Sequence, residues 1–239
     1  MPRSGKPGGG AMADQPAAYV LERSRKGKGR LVRQKLAAVR AAEAVGTLSP
    51  GCEVFGLTKG QFSLIDLIEH GLNTTGPADV LIAAWTVGGA DLELAWRFLS
   101  DGRIRSLRFI VDHSFVKLQP HYCAALRERF GDDAIRLTTN HAKFVVVHNE
   151  TWHLAIRSSM NLNENSRLET WEISDDQALA DYLLEVCESL FENYDSAAQW
   201  TRARHGQTTD FDSWFGNEAR ARDLRRAGWT SQKTGKRVG

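Results

Sequence analysis

The stretch from residue 141 to residue 169, HAKFVVVHNETWHLAIRSSMNLNENSRLE, determines how the rest of the chain is interpreted. Its apolar, β-branched run from Phe144 to Val147 predicts a buried strand. His141 and Lys143 stand just before this run at a spacing of two, so an extended chain points both side chains the same way. We therefore expect an imidazole and an ammonium group side by side at one end of a sheet.

A second group of polar residues follows the next predicted strand, Trp152 to Ile156. Ser159 and Asn161 come just past the end of that strand, and Glu169 lies eight residues further on. Lysine supplies positive charge, serine and asparagine supply hydrogen-bond donors, and histidine can attack phosphorus or transfer protons. This combination of side chains indicates a site for an anionic phosphate group.

The spacing also resembles the signature of the phospholipase D superfamily, His-x-Lys-x4-Asp followed by Gly-Ser-x-Asn and a downstream acid. Five residues match it position by position: His141, Lys143, Ser159, Asn161 and Glu169. The chain departs from the signature at two positions, where His148 replaces the Asp and Ser158 replaces the Gly.

The resemblance implies a phospholipase D-like α/β/α sandwich and phosphodiester hydrolysis without a metal or another cofactor. It assigns catalysis to His141, Lys143 and Glu169, with His141 as the nucleophile that forms a phosphohistidine. It assigns phosphate binding to Lys143, Ser159 and Asn161. Because this chemistry uses two histidines and the chain carries one motif, the resemblance also implies a two-fold homodimer with both motifs at the interface.

The pattern of the remaining chain supports an α/β architecture. Apolar runs alternate with amphipathic helical stretches from Asp79 to Leu137, which predicts a mixed, largely parallel sheet. Helices are also expected over residues 30–45 and from Phe62 to a stop at Gly71. We divide the chain into a disordered basic arm and helix (1–50), a phospholipase D-like domain (51–200), and a basic C-terminal helix and tail (201–239).

The charge is distributed unevenly. Residues 1–40 carry a net charge of +8, residues 41–201 carry −11, and residues 202–239 carry +5. Basic ends on an acidic body indicate that the ends contact a polyanion, with DNA favoured over RNA, although a solvated tail gives the same pattern. The candidate nucleic-acid-binding residues are Arg25, Lys26, Lys28, Arg30, Arg33, Arg222, Arg225 and Arg226.

Composition excludes several classes of protein. No apolar run approaches the roughly 20 residues of a membrane span, and the N-terminal residues lack the apolar segment of a secretory signal. The three cysteines are odd in number and show no paired spacing, which favours reduced thiols and a cytoplasmic protein. The histidines His141, His148 and His153 are spread over both strand faces, which disfavours a three-histidine metal site.

Alternatives remain for both the residues and the function. Glu169 either orients the imidazole or is a surface carboxylate, and Ser159 and Asn161 could simply form a turn. The protein is then either a nuclease-like phosphodiesterase, a nucleic-acid-binding module whose site has decayed at His148 and Ser158, or a transferase that passes the same covalent intermediate to an alcohol.

Overall fold

The computed structural model describes residues 17–24, 32–37, 40–163, 166–193 and 196–204. The described strands are β1 (Ala17–Ser24), β2 (Val32–Ala37), β3 (Cys52–Thr58), β4 (Ala78–Ala84), β5 (Ile104–Asp112), β6 (Ile135–Thr138), β7 (Phe144–His148), β8 (His153–Ser158) and β9 (Glu169–Asp175). The α-helices are α1 (Ala41–Val45), α2 (Leu64–Thr75), α3 (Gly89–Ser100), α4 (Phe115–Leu118), α5 (Pro120–Phe130), α6 (Gln177–Asn193) and α7 (Ala198–Arg204). None of these helices is both long and apolar enough to cross a membrane.

The nine described strands form one sheet in the order β2-β1-β3-β9-β8-β7-β4-β5-β6. The pairs β4–β5 and β5–β6 are parallel, whereas the other six described pairings are antiparallel. The predicted mixed α/β class is confirmed, but the expectation of a largely parallel sheet is wrong. Parallel pairing needs a long crossover, and only β4, β5 and β6 are linked by helices in that way, whereas β7 and β8 are joined by a short turn.

Strand β4 is apolar along its whole length because both of its faces are covered. Val80 and Ile82 belong to the larger core, to which α2 contributes its buried face. Leu81 and Ala83 point the other way and pack with Cys187 of α6 in a smaller cluster. The sheet is therefore enclosed by helices on both sides over its central strands, as expected for a strand with this sequence.

Helix α2 continues past the glycine at which it was predicted to stop. Gly71 lies inside the helix, where a Cβ atom would come 3.4 Å from Leu154 Cδ1 of β8. This is close to ordinary van der Waals contact, so the helix packs directly on the sheet at this point. The helix ends instead at Gly76, whose φ of +72° lies in the region that favours glycine.

The N-terminal part of the chain differs from the prediction. The predicted helix over residues 30–45 is wrong in its first part, because Val32–Ala37 pairs as a strand with β1, and among the described residues of this range only Ala41–Val45 is helical. Strand β3 was not predicted at all. The division of the chain at residues 50 and 200 stays a prediction, and residues 205–239, like most of the predicted disordered segment 1–17, lie outside the described residues.

Candidate active site

One end of the sheet collects polar residues from several strands. Here β3 ends at Thr58, opposite Glu169 at the beginning of β9. In the same way β7 begins at Phe144, which pairs with Arg157 near the end of β8 and with Ala83 near the end of β4. The residues that precede β7 and β9 and those that follow β3, β8 and β4 therefore lie in one row, which we call the site end of the sheet.

His141 and Lys143 lie together at the site end, in the segment immediately before β7. Lys143 Nζ donates to the His141 carbonyl oxygen at 2.8 Å and lies 3.3 Å from His141 Nδ1. The imidazole is exposed and its ring centroid is 6.0 Å from that of Trp85. Partial burial lowers the pKa of Lys143, and the Glu169 carboxylate opposes this shift. The predicted pair is thus close in space. The bond from the Lys143 ammonium to the His141 backbone carbonyl brings the two residues together, and not the alternation of side chains along a strand.

Ser159 and Glu169 form a second pair in the same row. Ser159 Oγ donates to Glu169 Oε2 and accepts a bond from the Thr170 backbone nitrogen at 2.9 Å. The hydrogen bond of Glu169 therefore goes to a hydroxyl, whereas the contacts of His141 are with Lys143 and Trp85. The carboxylate still acts electrostatically on Lys143.

Asn161 connects the segment after β8 to the segment after β4. Its Oδ1 accepts a bond from the Trp85 backbone nitrogen at 3.2 Å, which leaves its amide nitrogen without a bond among the described residues. The two segments approach closely just beyond this point, where the Gly88 nitrogen donates to the Leu162 carbonyl at 2.6 Å. A Cβ atom at Gly88 would lie 2.9 Å from Asn163 Cβ, so only glycine fits here.

Sequence reasoning missed the residues that hold the His141 segment in place. The buried Asn140 side chain donates to the carbonyls of Ala84 at 3.1 Å and Ile110 at 3.4 Å, and its Oδ1 accepts from the Ala142 nitrogen at 3.0 Å. The Asn140 backbone nitrogen donates to Asp112 Oδ2 at 2.9 Å. The hydrogen bond between an asparagine side chain and the backbone nitrogen two residues ahead is predictable from sequence. The bonds to β4 and β5 are not, because they depend on which strands are neighbours.

His148 lies away from these residues, at the other end of β7. It pairs with Asp79 of β4 and with His153 of β8. Burial lowers its pKa, and the Asp79 carboxylate opposes the shift. Among the described residues no group of three or more His, Cys, Asp or Glu side chains has the arrangement of a metal site. His148 therefore lies at the far end of the sheet, as its position at the end of the predicted strand indicates.

Most of the candidate nucleic-acid-binding residues cannot be located relative to this site. Arg33 belongs to β2. Seven others lie outside the described residues: Arg25, Lys26, Lys28, Arg30, Arg222, Arg225 and Arg226. Their role stays a prediction.

Comparison with family models gives no match, and comparison with curated proteins gives none either. Among solved structures the chain is similar to NucT from Helicobacter pylori, with 11% identity and a TM-score of 0.41 over 54% of this chain and 87% of that one. It is similar to Nuc from Salmonella typhimurium, a phospholipase D family member, with 14% identity and a TM-score of 0.36 over 48% and 78%. It is also similar to a phosphatidylserine synthase from Haemophilus influenzae, with 13% identity and a TM-score of 0.38 over 71% and 43%. A phospholipase D family structure is thus among those to which the chain is similar.

Proposed function

We propose that the protein is a phosphodiesterase that cleaves nucleic acid through a histidine nucleophile. The observation that carries this proposal is the contact of Lys143 Nζ with the exposed His141 imidazole, at the end of the sheet where Ser159 and Asn161 also lie. A nucleophile and a cation at this end of the sheet, with the Asn161 amide nitrogen as a further donor that has no partner among the described residues, suit transfer of a phosphoryl group.

In the proposed reaction His141 Nε2 attacks phosphorus and the bond from phosphorus to the leaving oxygen breaks. The leaving oxygen takes a proton from a second imidazole. Water then attacks phosphorus and gives a proton back to the second imidazole, the P–N bond breaks, and the product phosphate leaves. Lys143 and the amide of Asn161 stabilise the charge that develops on the phosphoryl oxygens, where a preorganised donor contributes most.

The Lys143 contact bears on the state of the imidazole before substrate binds. An ammonium group has only donors, so Nδ1 is unprotonated while Lys143 contacts it, and the proton of the neutral ring is on Nε2. Attack by Nε2 requires the other tautomer. We infer that the bound phosphate draws Lys143 away from Nδ1, which then takes the proton. We propose that Glu169, whose carboxylate acts electrostatically on Lys143, then accepts a bond from Nδ1.

We propose that the second imidazole is His141 of a second copy of the chain, because the sequence carries one His-x-Lys motif. A two-fold axis near His141 brings identical patches together, so one histidine per chain is enough. Sedimentation at micromolar concentration is expected to give a dimer, and a monomer that retains full activity would contradict this arrangement.

The basic ends of the chain are proposed as additional contacts with the nucleic acid, with DNA as the expected substrate. Replacing Arg25, Lys26, Lys28 and Arg30 with glutamine is expected to reduce the dependence of binding on salt. Each lost phosphate contact lowers the slope of log K against log salt by about 0.9 for duplex DNA. An unchanged slope would favour a solvated tail.

A nucleic-acid-binding module without catalysis is the second candidate. It is favoured by the bond of Glu169 to Ser159, since the carboxylate is then not orienting the imidazole. The departure at Ser158 does not favour it, because the Ser158 hydroxyl has its own role. It donates to the Thr170 carbonyl and accepts from the Met160 nitrogen, each at 2.9 Å.

The two candidates are separated by cleavage of single- and double-stranded DNA and RNA in the presence of EDTA. Wild type is expected to cleave at least one of these substrates, and His141→Ala is expected to leave only background. His148→Ala is the matched control, because it removes an imidazole from the opposite end of the same strand, and it should retain most of the activity. Equal rates for wild type and His141→Ala would leave the binding module as the better account. A phosphate adduct on His141, found by mass spectrometry of a quenched reaction, would identify the nucleophile directly.

A further inference from the structure

A polar cavity of about 490 Å³ lies beside the proposed active site, at the end of β3. The loop between β3 and α2 forms most of its lining, and Ser166 completes it from the segment before β9. His141, Lys143, Ser159 and Asn161 do not line it, so a group bound in this cavity is not the group that contacts them.

One donor in the residues that line this cavity is left unsatisfied by the described residues. Gln61 Oε1 accepts from the Lys59 backbone nitrogen at 2.5 Å and from Thr58 Oγ1 at 2.7 Å. Because a backbone N–H can only donate, these bonds fix which end of the amide is the oxygen, and they turn Nε2 away from Thr58. Gln61 Nε2 is buried and has no hydrogen-bond partner among the described residues. A buried donor without an acceptor is costly, so this loop carries a polar group that the described residues leave unsatisfied.

Lys59 supplies a positive charge at the same place. Its side chain is exposed and has no carboxylate oxygen within ion-pair distance among the described residues. The acid in the lining, Asp66, uses its Oδ2 to accept from the nitrogen and hydroxyl of Ser63 at the start of α2. Within the described part of the chain, the lining thus offers an anion the Lys59 ammonium, which has no ion pair there, and the Ser166 hydroxyl.

The sheet fixes how far this cavity is from the active site. Three strand steps separate β7 from β3 in the sheet order. At about 4.8 Å for each step, the two strand ends are about 14 Å apart. One nucleotide of a duplex strand advances only about 3.4 Å along the helix axis. A phosphate near Lys59 is therefore a different phosphate from the one at His141, further along the same strand.

We propose that this cavity binds a second phosphate of the nucleic acid whose scissile phosphate is at His141, so that the substrate strand runs across the strand ends from β7 to β3. This inference rests on the proposed function and adds a direction for the strand and a minimum length for a tightly bound substrate. A dinucleotide with one phosphodiester fills only the active site, whereas an oligonucleotide that spans about 14 Å also reaches Lys59.

The experiment measures binding and cleavage of a dinucleotide and of such an oligonucleotide by wild type, Lys59→Ala and Arg97→Ala. Arg97 is the matched control, since it is exposed, forms no ion pair among the described residues and lies in the last turn of α3, away from the site end. Lys59→Ala is expected to weaken oligonucleotide binding several-fold and to lower its salt slope by about 0.7, the value for one phosphate of a single strand. Dinucleotide cleavage should be unchanged, and Lys59→Arg should restore oligonucleotide binding.

The results that would contradict the second phosphate site can be told apart from those that would contradict the proposed function. If Lys59→Ala and Arg97→Ala bind the oligonucleotide equally well, the second phosphate site is wrong and the proposed function stands. The same conclusion follows if Lys59→Ala impairs the dinucleotide as much as the oligonucleotide. If wild type neither binds nor cleaves either substrate, the proposed function and this inference both fail.

Discussion

The two ends of β7 carry the same kinds of side chain in opposite situations. At the far end His148 pairs with Asp79, and the neighbouring Arg105 forms ion pairs with Asp79 at 2.8 Å and Glu150 at 2.7 Å. At the site end Lys143 has no carboxylate oxygen within ion-pair distance among the described residues, and its ammonium contacts a histidine instead. Cations at the far end are satisfied by the protein, whereas at the site end the charge is available to a ligand.

The presence or absence of a carboxylate partner distinguishes the structural histidine and cation at the far end from the proposed functional pair at the site end more clearly than burial does. Lys143 is partly buried, which lowers its pKa, and yet its nearest contacts are with an imidazole nitrogen and a carbonyl. Partial desolvation without an ion pair weakens the solvation of the ammonium and so strengthens its attraction to an incoming phosphate. The same arrangement would be an unexplained cost in a protein that binds no anion there.

The largest expected effect among these comparisons is on Lys143. Lys143→Ala should lower kcat for cleavage by about 10²- to 10³-fold, the cost of one lost electrostatic donor at a transition state. Arg105→Ala removes a cation from the far end and should leave kcat unchanged. Lys143→Arg keeps the charge and should recover part of the activity. Steady-state kinetics on one oligonucleotide would check all three, and equal losses in Lys143→Ala and Arg105→Ala would remove the distinction between the two ends.

The second comparison concerns two asparagines that hold the segments before and after β7. Asn140 bonds to Ala84 and Ile110 at the site end. At the far end Asn149 Nδ2 donates to the Thr75 carbonyl at 3.0 Å, and its Oδ1 accepts from the Trp152 nitrogen at 2.9 Å. Replacing either with alanine leaves backbone groups without partners and should cost about 1–3 kcal/mol of unfolding free energy.

Only the Asn140→Ala variant should also lose activity beyond its loss of stability. Asn140 positions His141, and a displacement of about 1 Å at a reacting group can cost up to about 10²-fold in rate. Denaturant unfolding and kcat, measured on both variants well below their melting temperatures, test this. If Asn149→Ala loses as much kcat as Asn140→Ala, the effect is one of general stability and Asn140 is not a positioning residue.

Features that depend on interactions between residues close in sequence could be predicted from the sequence, whereas features that depend on contacts between distant residues could not. Apolar runs and amphipathic helical patterns identified β4, β5, β7, α3 and α5, because burial of whole faces leaves a local signal. Strand β3 gave no such prediction, and the helical spacing of Val32, Leu36 and Val39 was misleading because pairing with β1 decides the conformation of Val32–Ala37.

The candidate site shows the same limit. His141, Lys143 and Ser159 were recognisable because their spacing is fixed along two consecutive strands. The bond of Glu169 to Ser159, the Asn140 contacts and the position of Lys59 all depend on the order β3-β9-β8-β7-β4, which local sequence patterns do not contain. Residues that touch through the sheet order are therefore the ones that sequence reasoning missed.

The smallest expected effect concerns pH and separates the two ends by titration. Burial lowers the pKa of His148 below its usual value of about 6.5, with Asp79 opposing the shift. As pH falls through that value the unfolded chain binds a proton at this position before the folded chain does. As the pH is lowered further, the unfolding free energy therefore decreases until the pKa of the folded state is reached.

His148→Gln removes this contribution, so the variant should lose less stability than wild type between about pH 7 and pH 5. Because His148 lies at the far end, the pH dependence of kcat should be the same in both proteins. Urea unfolding and kcat across this range measure the two dependences, and a shifted kcat profile in His148→Gln would place His148 in the reaction and not in the structure.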